Sequence, residues 1–127
     1  MEVTHGVADM TTRALEAALD CASTQHRVAT NNLANIETPG YVARRASFED
    51  QLQRAVRAEQ AGRRGALASV QPKLSGTGDP AGPDGNNVSI EGEMLAIGEA
   101  AGRYQMLTRL LDRKLQMVGT AIGDGRS

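Results

Sequence analysis

Ala29-Thr30-Asn31-Asn32-Leu33-Ala34-Asn35-Ile36-Glu37-Thr38-Pro39-Gly40-Tyr41 is the stretch whose reading decides the fold. It reads as the end of a helix bending sharply into an extended segment. Asn31, Asn32 and Asn35 are poor helix-interior residues, because their short amides compete for the backbone. They tolerate the left-handed conformation that often ends a helix. Thr38 precedes a proline and is pushed towards extended geometry. Pro39-Gly40 fits the central pair of a type II turn, with proline setting the negative φ and glycine accepting the positive one. Tyr41 places a ring just beyond the corner. The stretch holds no nucleophile, base or metal-ligand set; it specifies a shape.

On its N-terminal side a regular grid runs through Ala8, Thr11, Leu15, Ala18, Ala22, Gln25, Ala29, Asn32 and Ile36. Spacing that alternates three and four is the seam of a coiled coil. It predicts a helix over 8–37, after a polar lead-in over 1–6 that Gly6 breaks from it. Leu19, Val28 and Leu33 widen the stripe. An alanine-rich seam pairs weakly alone and suits close approach among many packed helices.

On the C-terminal side, 38–61 reads as the turn, an extended segment and a short helix. Ser47 is the expected cap, with Asp50 near the helix start, and Phe48, Leu52, Ala55 and Val56 share one face. Residues 62–88 are dense in glycine and proline and read as a flexible or extended loop, with one short strand within Leu67 to Leu74. A second grid then returns over 89–123: Met94, Ile97, Ala101, Tyr104, Thr108, Leu111, Leu115, Val118 and Ile122. Ser89 is its N-cap candidate, and Gly123 and Gly125 end it. About thirty residues at ~1.5 Å each make a rod of roughly 45 Å.

The fold class expected is therefore all-α. Long N- and C-terminal helices pair as an antiparallel coiled coil, with a short middle helix and a Gly/Pro-rich loop between them, in a single domain over 1–127. Aromatics are 2% of the 127 residues, which suits long thin helices better than a compact core. A lone helix pair cannot bury both faces of each helix, so neighbouring subunits are expected to complete the fold.

The inventory for chemistry is empty. The single cysteine, Cys21, excludes an internal disulfide and reads as a small apolar helix residue. Cys21 and His26 are spaced off one helix face, and a site from them with Glu16 or Asp20 lacks metal-ligand spacing. No phosphate-binding glycine loop occurs. No catalytic, cofactor-binding or metal residue is expected, nor a small-molecule substrate. The segment 44–73 is basic, but the chain's net charge is −1 and no groove-entering helix or stacking aromatics accompany it, so no nucleic-acid partner is expected. No apolar run reaches the ~20 residues of a membrane span, and no secretory signal peptide is visible.

Asn31 to Tyr41 closely resembles the motif near the N-terminus of bacterial flagellar axial proteins, those of rod and hook. The chain is short, Asp84-Gly85-Asn86-Asn87-Val88 leads into the last helix, and that helix carries Arg103-Tyr104-Gln105, Leu115-Gln116-Met117-Val118 and Ala121-Ile122. Together these resemble the proximal rod type of the basal body, FlgB. The likeness covers about 8–61 and 84–126; Ala66 to Pro83 carries none. Thr30 departs from a frequent alanine, and Gly92, Gly98 and Gly102 weaken the start of the last helix.

The resemblance implies a non-enzymatic subunit whose terminal helices form the inner, axial core of a hollow, helically packed tube. Such a tube links the membrane ring and export gate to the distal rod and hook, transmits torque and is required for motility. The implied partners are other proximal rod proteins, the rod-base adaptor protein, membrane-ring and export-gate components, and further copies of itself. The implied location is the basal-body rod in the periplasmic space, reached through the flagellar export apparatus without a cleavable signal peptide. The residues expected to carry assembly are Leu15, Ala18, Ala22 and Ala29 of the first seam. With them go the corner residues Asn31, Asn32, Leu33, Asn35, Ile36, Thr38, Pro39, Gly40 and Tyr41. The second seam contributes Met94, Ile97, Ala101, Tyr104, Leu111, Leu115, Val118 and Ile122. Two alternatives are another short rod subunit and a non-flagellar coiled-coil adaptor, which would have no need of Pro39-Gly40.

Overall fold

The computed structural model describes the backbone over residues 2–124 and side chains over 10–119. Six elements follow one another: α1 (Glu2–Ala34), β1 (Arg44–Ser47), α2 (Glu49–Gln60), a 3-10 turn (Leu67–Ser69), β2 (Lys73–Gly76) and α3 (Ile90–Asp124). At ~1.5 Å per residue, the 33 residues of α1 and 35 of α3 are rods of about 50 Å. They run antiparallel: Asn32 meets Glu93, Gln25 meets Arg103, and Leu107 packs against the cluster of Ala18 and Cys21. Long terminal helices thus dominate the chain, as the two grids predict.

The first helix begins at Glu2, not Ala8, and runs through Gly6. One glycine costs only about 1 kcal/mol against alanine, too little to stop a cooperative helix. It ends at Ala34, with turns from Asn35 onward. No asparagine there turns left-handed, since among the described residues positive φ belongs to glycines alone. The helix end tightens instead. Asn32 O accepts from Asn35 N–H at 3.1 Å and Leu33 O from Ile36 N–H at 3.2 Å, while the Asn35 side chain donates to Asn31 O at 2.8 Å.

The chain is not all-α. β1 and β2 pair antiparallel, Arg44 opposite Gly76 and Ser47 opposite Lys73. The strand therefore lies at the end of the expected 67–74 range, whose first residues form the 3-10 turn instead. Ser47 is consumed by β1 and does not cap α2. Phe48 occupies the cap position, with no side-chain cap, and its N–H donates to Glu49 Oε2 at 3.1 Å. α2 closes with two bonds typical of a helix C-terminus, Gly62 N–H to Glu59 O and Arg63 N–H to Ala58 O.

The connection over 62–88 is anchored rather than loose. Leu67 is 2% exposed. The Glu59 carboxylate accepts from Gly65 and Leu67 N–H groups at 3.2 and 3.3 Å and pairs with Arg13 at 2.7 Å. The Arg13 hydrogen bond, followed by that from Leu67, lowers the Glu59 pKa. A depressed carboxyl pKa contributes stability above the unfolded value, near 4.3, and that contribution is lost as pH falls through the lower folded value. The thermal midpoint gap between the wild type and Glu59→Gln should accordingly hold constant above pH 5 and shrink below about pH 4. A gap independent of pH would show the clasp to be electrostatically idle.

The core is small. Ala18, Cys21 and Phe48 are buried together, with Leu52, Val70 and Leu107 half-buried against them. Ala22, Ala29 and Ala100 are each at most 1% exposed between α1 and α3. Small side chains let the helix backbones approach, while the one phenylalanine supplies the large apolar area, where an aromatic contributes most.

Candidate functional site

Two stretches far apart in the chain, 31–41 and 84–88, fold into one joint. The turn at its centre is as read: Tyr41 N–H donates to Thr38 O at 3.2 Å, and Gly40 has φ 74°. The second stretch docks against it. Gly40 N–H donates to Asp84 O at 2.9 Å and Asn87 N–H to Tyr41 O at 3.3 Å. The Asn86 amide donates to Asn35 O at 2.9 Å and Thr38 O at 2.8 Å, and its oxygen accepts from Val88 N–H at 2.8 Å. Gly85 lies so close that a Cβ there would sit 3.3 Å from Gly40 Cα.

Asn32 is the hub on the inner side, 1% exposed. Its amide nitrogen donates to Arg44 O at 2.7 Å and Glu93 Oε2 at 3.1 Å. Its oxygen accepts from Tyr41 Oη at 3.0 Å and Arg44 N–H at 3.3 Å. Tyr41 Oη in turn accepts from the Asn31 amide at 3.1 Å. Glu93, also 1% exposed, is paired with Arg45 at 2.6 Å. A buried carboxylate is tolerable only with such partners.

The edge of β1 that faces α1 is thus closed by side chains instead of a third strand. Asn32 satisfies Arg44 and Gln25 Nε2 donates to Ala46 O at 3.0 Å, while on the β2 side, just before the strand, Asn87 Oδ1 accepts from Ala43 N–H at 2.7 Å. Gln25 Oε1 is itself held by Arg103 at 2.8 Å, which ties sheet, α1 and α3 together. α3 starts as expected, with Ser89 Oγ accepting from Gly92 N–H at 3.2 Å. Gly92, which weakens the helix on propensity, has a packing reason: a Cβ there would meet Ser89 Oγ at 3.3 Å and Arg45 Nη2 at 3.7 Å.

The residues expected to carry assembly divide by position. Ala18, Ala22, Ala29 and Asn32 are buried within the chain. Leu15, Leu33, Asn35, Ile36, Tyr41, Ile97, Ala101, Leu111 and Val118 are half-buried. Asn31, Thr38, Pro39, Gly40, Met94, Tyr104 and Leu115 are exposed, and the Ile122 side chain lies outside the described residues. On α3 the line facing α1 is displaced by one residue at alternate positions. Glu93 and Ala100 are buried where Met94 and Ala101 were expected, and Leu107 packs inward beside Thr108. Sequence reasoning missed Glu93 and Arg45. It had Asn86 and Asn87 only as part of a motif, with no partner for them.

The catalytic inventory offers little. Burial, with Asp20 and Glu49 adding, pushes the Cys21 thiol above its ordinary value and away from the nucleophilic thiolate. His26, Glu16 and Asp20 are exposed. Among the described residues no cluster of three or more His, Cys, Asp or Glu is arranged for a metal ion, and no helix is long and apolar enough to cross a membrane.

No protein-family model matches the chain. Individual relatives do. Over 115 residues it is 35% identical to the flagellar basal body rod protein FlgB of Cereibacter sphaeroides, covering 83% of this chain and 88% of that one. Over 119 residues it is 29% identical to the flagellar basal body rod protein FlgB of Bacillus subtilis (strain 168), covering 88% and 92%. Both alignments are long enough to take in the joint and much of the two helices it fastens. The chain therefore belongs to the FlgB family of flagellar basal body rod proteins.

Proposed function

We propose that this chain is a non-enzymatic structural subunit of the proximal rod that co-assembles with other rod proteins and with itself into a hollow axial tube. The tube joins the membrane ring and export gate to the distal rod and hook, carries torque and is required for motility. The observation that carries this reading is the unpartnered apolar exposure of α3 on two flanks of the face it packs against α1. Leu95, Met106, Leu110 and Met117 share one flank by helical spacing and Met94, Tyr104 and Leu115 the other, all more than 40% exposed. So long an apolar exposure marks an association surface. In the assembled tube, α1 and α3 pack as an antiparallel coiled coil against their neighbours in the inner wall. The small-residue seams and the corner Asn31 to Tyr41 supply contacts.

The rod-base adaptor protein and components of the membrane ring and export gate are the remaining neighbours under this reading. Under the same reading the subunit reaches the periplasmic rod through the flagellar export apparatus. Deleting the gene should leave cells non-motile, with basal bodies that have a membrane ring but no rod; re-expression of the chain should restore both. A deletion strain that still built a complete rod would refute the proposal.

A further inference from the structure

A groove of about 800 Å³ lies between the outer face of α1 and the two-stranded sheet. Val28, Asn31, Tyr41 and Leu74 line it, and Arg27 and Arg44 stand in its wall. Among the described residues no carboxylate lines it. Arg27 donates only to Thr24 Oγ1, at 3.3 Å, and the Arg44 side chain has no hydrogen bond or ion pair among the described residues. A guanidinium is weakly hydrated and presents a fork that matches a carboxylate. Two such forks beside an apolar floor make a surface for an acidic segment.

The chain supplies that segment. Glu37, Asp79 and Asp84 are exposed on the outer tip of the joint. Neither Glu37 nor Asp79 has a side-chain partner among the described residues, and the Asp84 carboxylate accepts only from Asn86 N–H, at 3.1 Å. The tip is already ordered: Asn87 Nδ2 holds Asp79 O at 3.0 Å, Gly40 N–H holds Asp84 O, and Pro80 and Pro83 stiffen the strip between. Pre-ordering lowers the cost of docking. Tip and groove lie at the same end of the molecule, because Asn31 and Tyr41 line the groove while Thr38 and Gly40 bond the tip. None of the three acids lines the groove of its own chain.

We propose that the acidic tip of one copy seats in the arginine groove of the next copy at the same axial level. This deepens the rod reading and rests on it. Different surfaces meet on the two partners, so the contact repeats into a ring or helical turn instead of stopping at a pair. The apolar α3 surface stays free for other neighbours.

The test uses the full chain in cells, with Arg44→Cys and Asp79→Cys combined. Both positions are exposed, and the Arg44 backbone bonds to Asn32 do not involve its side chain. Oxidised basal bodies should give a ladder of covalent dimers, trimers and larger species on a non-reducing gel, absent from either single variant. Basal bodies that contain the chain without cross-linked copies, a ladder that ends at dimers, or cross-links to a different protein would overturn the contact. A wild-type chain missing from basal bodies would instead contradict the rod reading itself. Charge exchange gives an independent measure. Arg27→Glu with Arg44→Glu, or Glu37→Lys with Asp79→Lys, should each reduce swimming at least tenfold. All four together should restore it, and failure of that restoration counts against pairing between copies.

Discussion

Asn32→Ala should destabilise the folded chain by about 3 kcal/mol. Losing the amide leaves Arg44 N–H unpaired, takes the acceptor from the Tyr41 hydroxyl, leaves Arg44 O with only the 3.4 Å bond from Arg45, and removes one of the two donors to Glu93, around a side chain 1% exposed. Each buried polar group left unpaired costs about 1–3 kcal/mol, and a little recovers where water can enter. For a 127-residue chain the thermal midpoint should fall by on the order of 10 °C. The loss is expected to concentrate in the sheet, because Asn32 closes the edge of β1. Amide exchange of Ala43 to Ser47 should accelerate more than that of Cys21 to Gln25. Asn31→Ala is the comparison: Asn31 is exposed and contributes one bond to Tyr41, so its effect should stay below about 1 kcal/mol. Equal effects for the two would remove Asn32 from its central position.

Gly85→Val should be at least as damaging, for a reason that composition does not reveal. Gly85 has φ 83°, where a β-branched side chain is strained by about 1–3 kcal/mol. Its Cβ would also press on Gly40 Cα, a backbone atom of the facing turn, which cannot swing aside as a side chain can. Gly78 separates the two effects. Its φ is 77°, yet a Cβ there meets nothing within 4 Å. Gly78→Val should therefore show the backbone strain alone, and Gly85→Val should fall further by the cost of parting the two stretches. In motility assays the Gly85 change should reduce swimming while the Gly78 change leaves most of it. Equal losses of stability in both would mean that the close approach of Gly85 to Gly40 is not a constraint.

These contrasts show what could be read from the chain and what could not. The turn at Pro39-Gly40 was legible because its chemistry is local: a fixed φ, a glycine that accepts the mirror region, and a hydrogen bond spanning three residues. Two long helices were legible because a heptad grid persists along each. The joint as a whole was not. Asn86 and Asn87 find their acceptors on Asn35, Thr38 and Asp79, and no local rule links those positions. The pairing of the sheet was missed for the same reason: an extended segment after the turn and one short strand within Leu67 to Leu74 were legible, but nothing local joins two four-residue strands separated by a helix.

The shift of the packed line on α3 has a sharper cause. Hydropathy assigns Met94 inward and Glu93 outward. The reverse holds because Arg45 and Asn32 wait at that level to pair the carboxylate. Methionine and leucine are then turned out of the chain along α3. A sequence that hides a glutamate and exposes Met94, Leu95, Met106 and Met117 is organised for a neighbour as well as for itself.

The central claim is that α1 and α3 stand in the wall of a rod, with the joint fastening the sheet to their side. The direct measurement is a density map of isolated basal bodies at a resolution that separates helices. The account predicts a pair of antiparallel helices about 50 Å long in the inner wall next to the membrane ring, with α2 and the sheet outside them and Asn31 to Tyr41 at one end. A complete proximal rod whose density has no place for this chain would contradict it.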